Sequence, residues 1–91
     1  MAMGWNIWLK VQLVQRRMPK LSPTKSRTII RKLHKLGFEG PFGGGRHVFM
    51  RHPETSIKIP VPMHKGHDMP IGALRAIIRQ AGVSVEEWLA L

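Results

Sequence analysis

Apolar side chains recur at helical spacing at Ile29, Ile30, Leu33 and Leu36, with Ser22 and Pro23 ahead of them and Gly37 directly after. That arrangement predicts a first helix capped by Ser22, opened by Pro23 and stopped at Gly37 in the left-handed conformation. The period then drops to two. Phe38 to Phe42 and His47 to Arg51 flank Gly43, Gly44 and Gly45, which predicts a hairpin around a glycine turn. Pro53 to Ser56 read as the next turn, and Ile57, Ile59 and Val61 alternate with Lys58 and Pro60 as a third strand. Pro60 marks that strand as an edge or its own position as outward-facing, because proline cannot donate to a ladder. Helical spacing returns at Ile71, Leu74, Ile77, Ile78 and Ala81, with Asp68 as the expected cap, Pro70 as the expected first residue and Gly82 as the stop. Ser84 and Glu87 have the spacing of a capping box and open a short terminal helix holding Trp88 and Leu89.

The order is therefore α-β-β-β-α with a short C-terminal helix. A three-stranded antiparallel sheet with the two longer helices on one face buries both stripes at once, an α+β fold. Residues 18–91 form this domain. Met1 to Arg17 read as an N-terminal extension: either a stretch upstream of a start at Met18, or an arm carrying Trp5 and Trp8 to a partner. Asn6, Lys10 and Gln12 interrupt its apolar residues, so it lacks the roughly 20 apolar positions of a membrane span and the layout of a signal peptide.

Charge narrows the function. The 91 residues hold 15 Lys and Arg against 5 Asp and Glu, a formal net charge of +10. Removing the extension's three cations from the 15 leaves 12 against 5, so the excess belongs to the domain. An excess of this size favours phosphate-bearing partners. Lys25, Arg27, Arg31, Lys32, His34 and Lys35 share the first helix and form a candidate phosphate-facing stripe. With no cysteine, disulfides, thiolate zinc sites and a cysteine nucleophile are excluded, and a reducing cytoplasm is the expected compartment.

Five histidines, at 34, 47, 52, 64 and 67, suit two chemistries. His64 and His67, joined by His47 or His52 and by Asp68 or Glu54, are a candidate zinc set. Metal-free cleavage of RNA needs less: a neutral imidazole to take the 2′-hydroxyl proton, a donor for the leaving 5′-oxygen, and cations on the phosphorane. His47 follows Gly43, Gly44, Gly45 and Arg46, so a backbone can approach a phosphate while imidazole and guanidinium project beside it. An imidazole titrating near neutrality serves as acid or base. On this reading His47 is catalytic, Arg46, Lys25, Arg31, Gly44 and Gly45 hold the RNA, His64 is the second acid or base, and neither metal nor cofactor is required. The alternatives are a basic module that binds RNA without cutting it, and a protein-binding adaptor anchored by Trp5, Trp8 and Trp88.

The series Leu33 to Phe38, Gly43 to His47, Arg51 to Pro53, Ile59 to His64, and Gly72 with Leu74, Ile77, Ile78 and Gln80 to Gly82 resembles the HicA toxin family over about Lys20 to Leu91. The resemblance implies a fold similar to a double-stranded RNA-binding domain, an mRNA interferase activity, and neutralisation by a HicB-like antitoxin. It places the activity-associated histidine on His47, and it implies no membrane and no direct DNA partner. Where the family commonly reads Gly-Ser-His, this chain reads Gly45, Arg46, His47, so a guanidinium stands in place of a hydroxyl.

Overall fold

Helix α1 spans Ser26–Lys35 and is followed by the strands β1 (Glu39–Gly44), β2 (His47–Arg51) and β3 (Lys58–Pro62), then by α2 (Ile71–Ala81) and α3 (Val85–Leu89). This computed structural model describes residues 20–63 and 66–91. The extension Met1 to Arg17, with Trp5 and Trp8, and His64 lie outside the described residues.

The strands form an antiparallel sheet in the order β1-β2-β3. Met50 stands opposite Ile59 and Val48 opposite Val61. Met50, Ile59 and Val61 are fully buried, so this face of the sheet meets Ile29 and Leu33 of α1 and Leu74, Ile77 and Ile78 of α2. Burying such side chains contributes on the order of 1.5–3 kcal/mol each, which is the main force holding the layers together. The fold is the α+β arrangement that the periodicities predict, and Pro60 is exposed on an edge strand as expected.

Both long helices begin later than the cap signals suggest. Ser22 does not cap α1, nor does Pro23 open it: the N-cap is Lys25, in extended conformation and without a side-chain cap bond. Likewise Asp68 does not cap α2, and Pro70 is its N-cap and not its first turn. One feature explains both shifts. Thr24 and Met69 form an isolated antiparallel bridge, with Thr24 N donating to Met69 O at 3.3 Å and Met69 N to Thr24 O at 2.7 Å. That bridge holds both lead-ins extended, and Met69 is fully buried beneath it.

The helix ends follow the sequence. Gly37 (φ 95°) closes α1, with Gly37 N donating to His34 O and Phe38 N to Leu33 O, both at 3.0 Å. This is the Schellman pattern, and it turns Phe38 into the core. At α3 the capping box is complete: Glu87 N donates to Ser84 Oγ at 3.0 Å and Ser84 N to Glu87 Oε1 at 3.3 Å. Trp88 is 1% exposed, so it is a core residue and not the interface anchor considered above. Lys32 covers it, with Nζ donating to Trp88 O at 3.1 Å and lying 5.5 Å from the ring centroid. Burial, and then the nearby Arg31 and Lys35 cations, hold the Lys32 ammonium below the ordinary lysine pKa.

Candidate functional site

The tip of the β1–β2 hairpin is a two-residue turn, Gly45 and Arg46, closed by the pair Gly44 and His47. One step back, the backbone leaves no room for a side chain. A side chain on Gly43 (φ 89°) would place its Cβ 2.7 Å from the carbonyl oxygen of His47. Only glycine fits at that position, directly across the hairpin from the backbone that carries His47. Arg46 O accepts from Met63 N at 3.3 Å, so the tip is also tied to the end of β3.

At the tip the chain divides two surfaces. On one side, Arg46 and Gly45 face the start of α1 across a cleft of about 670 Å³, lined also by Lys25, Ser26, Arg27, Met63, Gly66, His67 and Asp68. The Thr24–Met69 bridge brings these walls together, and Ser26 Oγ, donating to Pro62 O at 3.1 Å, pins α1 to the end of β3. Lys25, Arg27 and Arg46 are all exposed there, against the single carboxylate of Asp68 in the lining. Three cations around one concavity attract an anion, and the backbone of Gly45 permits close approach.

On the other side, alternation along β2 sends Val48 and Met50 to the core and His47, Phe49 and Arg51 to the open face. His47 is exposed, and it is not among the residues lining the cleft. Across the sheet from this row stand Glu39, Phe42 and Gly44 on β1 and Lys58, Pro60 and Pro62 on β3. Among the described residues the cations sharing the His47 face are therefore Arg51 and Lys58, while Lys25 belongs to the cleft.

Of the residues singled out in the sequence, Lys25, Gly45 and Arg46 come together in the cleft, Gly44 pairs with His47, and Arg31 is exposed further along α1, outside the lining. His64 lies outside the described residues. Arg27, Ser26, His67 and Asp68 also line the cleft, and sequence reasoning did not place them there. The bridge between Thr24 and Met69 gathers them, and a single bridge leaves no periodicity to detect.

Two other histidines are committed locally. His34 Nε2 donates to Gly40 O at 2.7 Å, joining α1 to β1. His52 Nδ1 accepts from Glu54 N at 3.2 Å and Thr55 N at 3.4 Å, and its ring meets Phe38 edge-on at 5.1 Å. That leaves His52 organising the turn before β3, where the zinc reading would have used it as a ligand. Among the described residues no group of three or more His, Asp or Glu is placed to hold a metal ion. Among the same residues no helix is long and apolar enough to cross a membrane.

A family model described as the HicA toxin of bacterial toxin-antitoxin matches residues 26–83, from the start of α1 to just past α2. No curated protein matches the chain.

Proposed function

From the premise that the chain belongs to the HicA toxin family of bacterial toxin–antitoxin systems, we infer that it is a metal-independent endoribonuclease acting on mRNA in the cytoplasm. Membership implies a cognate antitoxin, and a HicB-like protein is the expected one. The observation that carries the nuclease reading is the exposed imidazole of His47 at the mouth of the glycine hairpin, adjoining Arg46 in the chain and sharing its face with Arg51 and Lys58.

The chemistry follows from the substrate. The neutral His47 imidazole takes the proton of a ribose 2′-hydroxyl; the 2′-oxygen bonds to the adjacent phosphorus as the bond from phosphorus to the 5′-oxygen breaks. A proton delivered to the leaving 5′-oxygen completes the step, with His64 as its nominated donor. The products are a 2′,3′-cyclic phosphate and a 5′-hydroxyl. Arg46, at the tip, is assigned to the phosphate, and Lys25 with Arg27 extends positive potential into the cleft for the strand beyond it. Arg31, exposed further along α1, adds to that field. Gly44 and Gly45 keep the tip free of side chains where the backbone must come close.

The test is a defined single-stranded RNA incubated with the purified chain and with His47→Ala, EDTA present throughout. Cleavage by the parent that falls by about 10²- to 10⁴-fold in the variant is the expected result. Equal cleavage by both would remove His47 from the mechanism, and loss of cleavage on chelation would return the reaction to a metal. Intact RNA bound in a salt-sensitive manner would make the domain the binding module considered as the alternative.

A further inference from the structure

The open face of an antiparallel sheet is ordinarily polar, because it meets water. Here it carries two aromatic rings beside the proposed catalytic histidine. Phe42 and Phe49 face each other across β1 and β2 with ring centroids 5.5 Å apart and planes tilted by 38°. Phe42 is 42% exposed, on the side of the sheet away from the helices, so its ring meets solvent. The Lys58 ammonium lies over Phe49, 5.1 Å from the ring centroid. Lys58 stands opposite Arg51, which also has Glu39 across from it on β1. Glu39 offsets one of these two abreast cations, so the row keeps a net positive charge that a phosphate can meet. His47, Phe49 and Arg51 alternate along β2 on this face, so each is about 7 Å from the next, roughly one nucleotide step of an extended strand.

We propose that this face is a base-stacking platform for single-stranded RNA, in which a nucleobase next to the scissile phosphate stacks on the exposed ring of Phe42. The inference rests on the nuclease reading for the identity of the phosphate at His47, and it adds a base-stacking subsite on the open face. Phe49 backs the Phe42 ring, and Arg51 and Lys58 take the phosphates flanking the stacked nucleoside. Aromatic rings interleaved with cations bind unpaired nucleic acid because every base has a π-face and every nucleotide a charge. A duplex keeps its bases stacked on one another and has none to offer this ring, so the platform selects single strands. The hairpin then has a division of labour: the open face orders the nucleoside at the cut, and the cleft beyond Arg46 takes the strand's continuing charge.

The experiment uses the full chain and 2′-O-methyl oligonucleotides, which cannot be cut, so binding is read apart from chemistry. Fluorescence anisotropy compares a single strand of mixed sequence with the same strand made abasic at successive positions, for the parent, Phe42→Ala and Phe42→Trp. The expected result is that the parent prefers the intact strand by about 5- to 150-fold at one position. Phe42→Ala abolishes that preference, and Phe42→Trp retains it. Circular dichroism verifies that the variants are folded. A folded Phe42→Ala with the parent's preference would overturn the platform. So would a Phe42→Ala that loses capture of the antitoxin while its preference among oligonucleotides is unchanged, since the face would then be a protein-docking surface. Cleavage of unmodified RNA distinguishes the two readings. A Phe42-dependent preference without cutting sinks the nuclease and keeps the platform; cutting without a Phe42-dependent preference does the reverse.

Discussion

Three consecutive glycines at the hairpin tip make a graded test of the backbone argument, because their surroundings differ. At Gly43 an added Cβ meets the His47 carbonyl oxygen at 2.7 Å, in a left-handed conformation of φ 89°. At Gly45 the conformation is again left-handed, φ 65°, but no atom lies within 4 Å of the added Cβ. Gly44 has neither the left-handed φ nor a neighbour within that distance. For an L-residue the left-handed region costs roughly 1–2 kcal/mol. Forcing two backbones apart against a packed sheet adds about 1–3 kcal/mol. Gly43→Ala is thus expected to destabilise by about 2–5 kcal/mol, Gly45→Ala by about 1–2, and Gly44→Ala to stay within about 0.5 of the parent. In a domain of this size each kcal/mol lowers Tm by about 4–8 °C, so Gly43→Ala should melt at least about 8 °C lower. Urea titration and thermal melts of the three variants read the series directly. The atom struck at Gly43 belongs to His47, so cleavage per folded molecule should also fall in that variant. A Gly43→Ala protein as stable as Gly44→Ala and as active as the parent would refute the crowding at Gly43 and with it the claim that the hairpin positions the imidazole.

Trp88→Ala empties a fully buried site and should cost about 3–5 kcal/mol, much of the stability of so small a domain; a loss below about 1 kcal/mol by urea titration would contradict the burial. Lys32 releases its proton more readily folded than unfolded, so the unfolded chain binds more protons between the two pKa values, and this group's contribution to stability rises with pH in the alkaline range below the ordinary lysine value. The stability of the parent relative to Lys32→Met, measured from neutral pH into that range, should accordingly shift in favour of the parent; an opposite drift would show that the bond to Trp88 O outweighs burial. Arg46→Ala should weaken binding to single strands of every sequence and reduce the slope of log affinity against log salt by about 0.7, the effect of one phosphate contact; an unchanged slope would take Arg46 off the phosphate.

The elements were legible where one period dominated. Ile59 and Val61 alternate cleanly with Lys58 and Pro60, and Ile29 with Leu33 and Leu74 with Ile77 and Ile78 mark their helices without competition. The cap at Ser84 and Glu87 was readable because its two bonds are local, three residues apart. The false caps at Ser22 and Asp68 were equally local in sequence, but the competing interaction was not. Thr24 and Met69 lie far apart in the chain, and their paired bonds hold both residues extended where a helix capped at Ser22 or Asp68 would need them helical. Local signals rank conformations of an isolated segment, and a tertiary pairing can overrule them.

The two sides of the site are not separable in the sequence for the same physical reason. Within β2 the run Val48, Phe49, Met50 is apolar at every position, so alternation alone does not say which face is inside, and hydrophobic size would nominate Phe49. The decision is made on β3, where proline at 60 and the apolar pair at 59 and 61 leave only one face fit for the core. Pairing Met50 with Ile59 and Val48 with Val61 then turns Phe49 outward, and His47 and Arg51 with it. A slip of one residue would bury the imidazole and expose Met50. The register that completes the core is therefore the one that brings His47 to solvent. Consequently a substitution that weakens Ile59 or Val61 packing should impair the site without touching it.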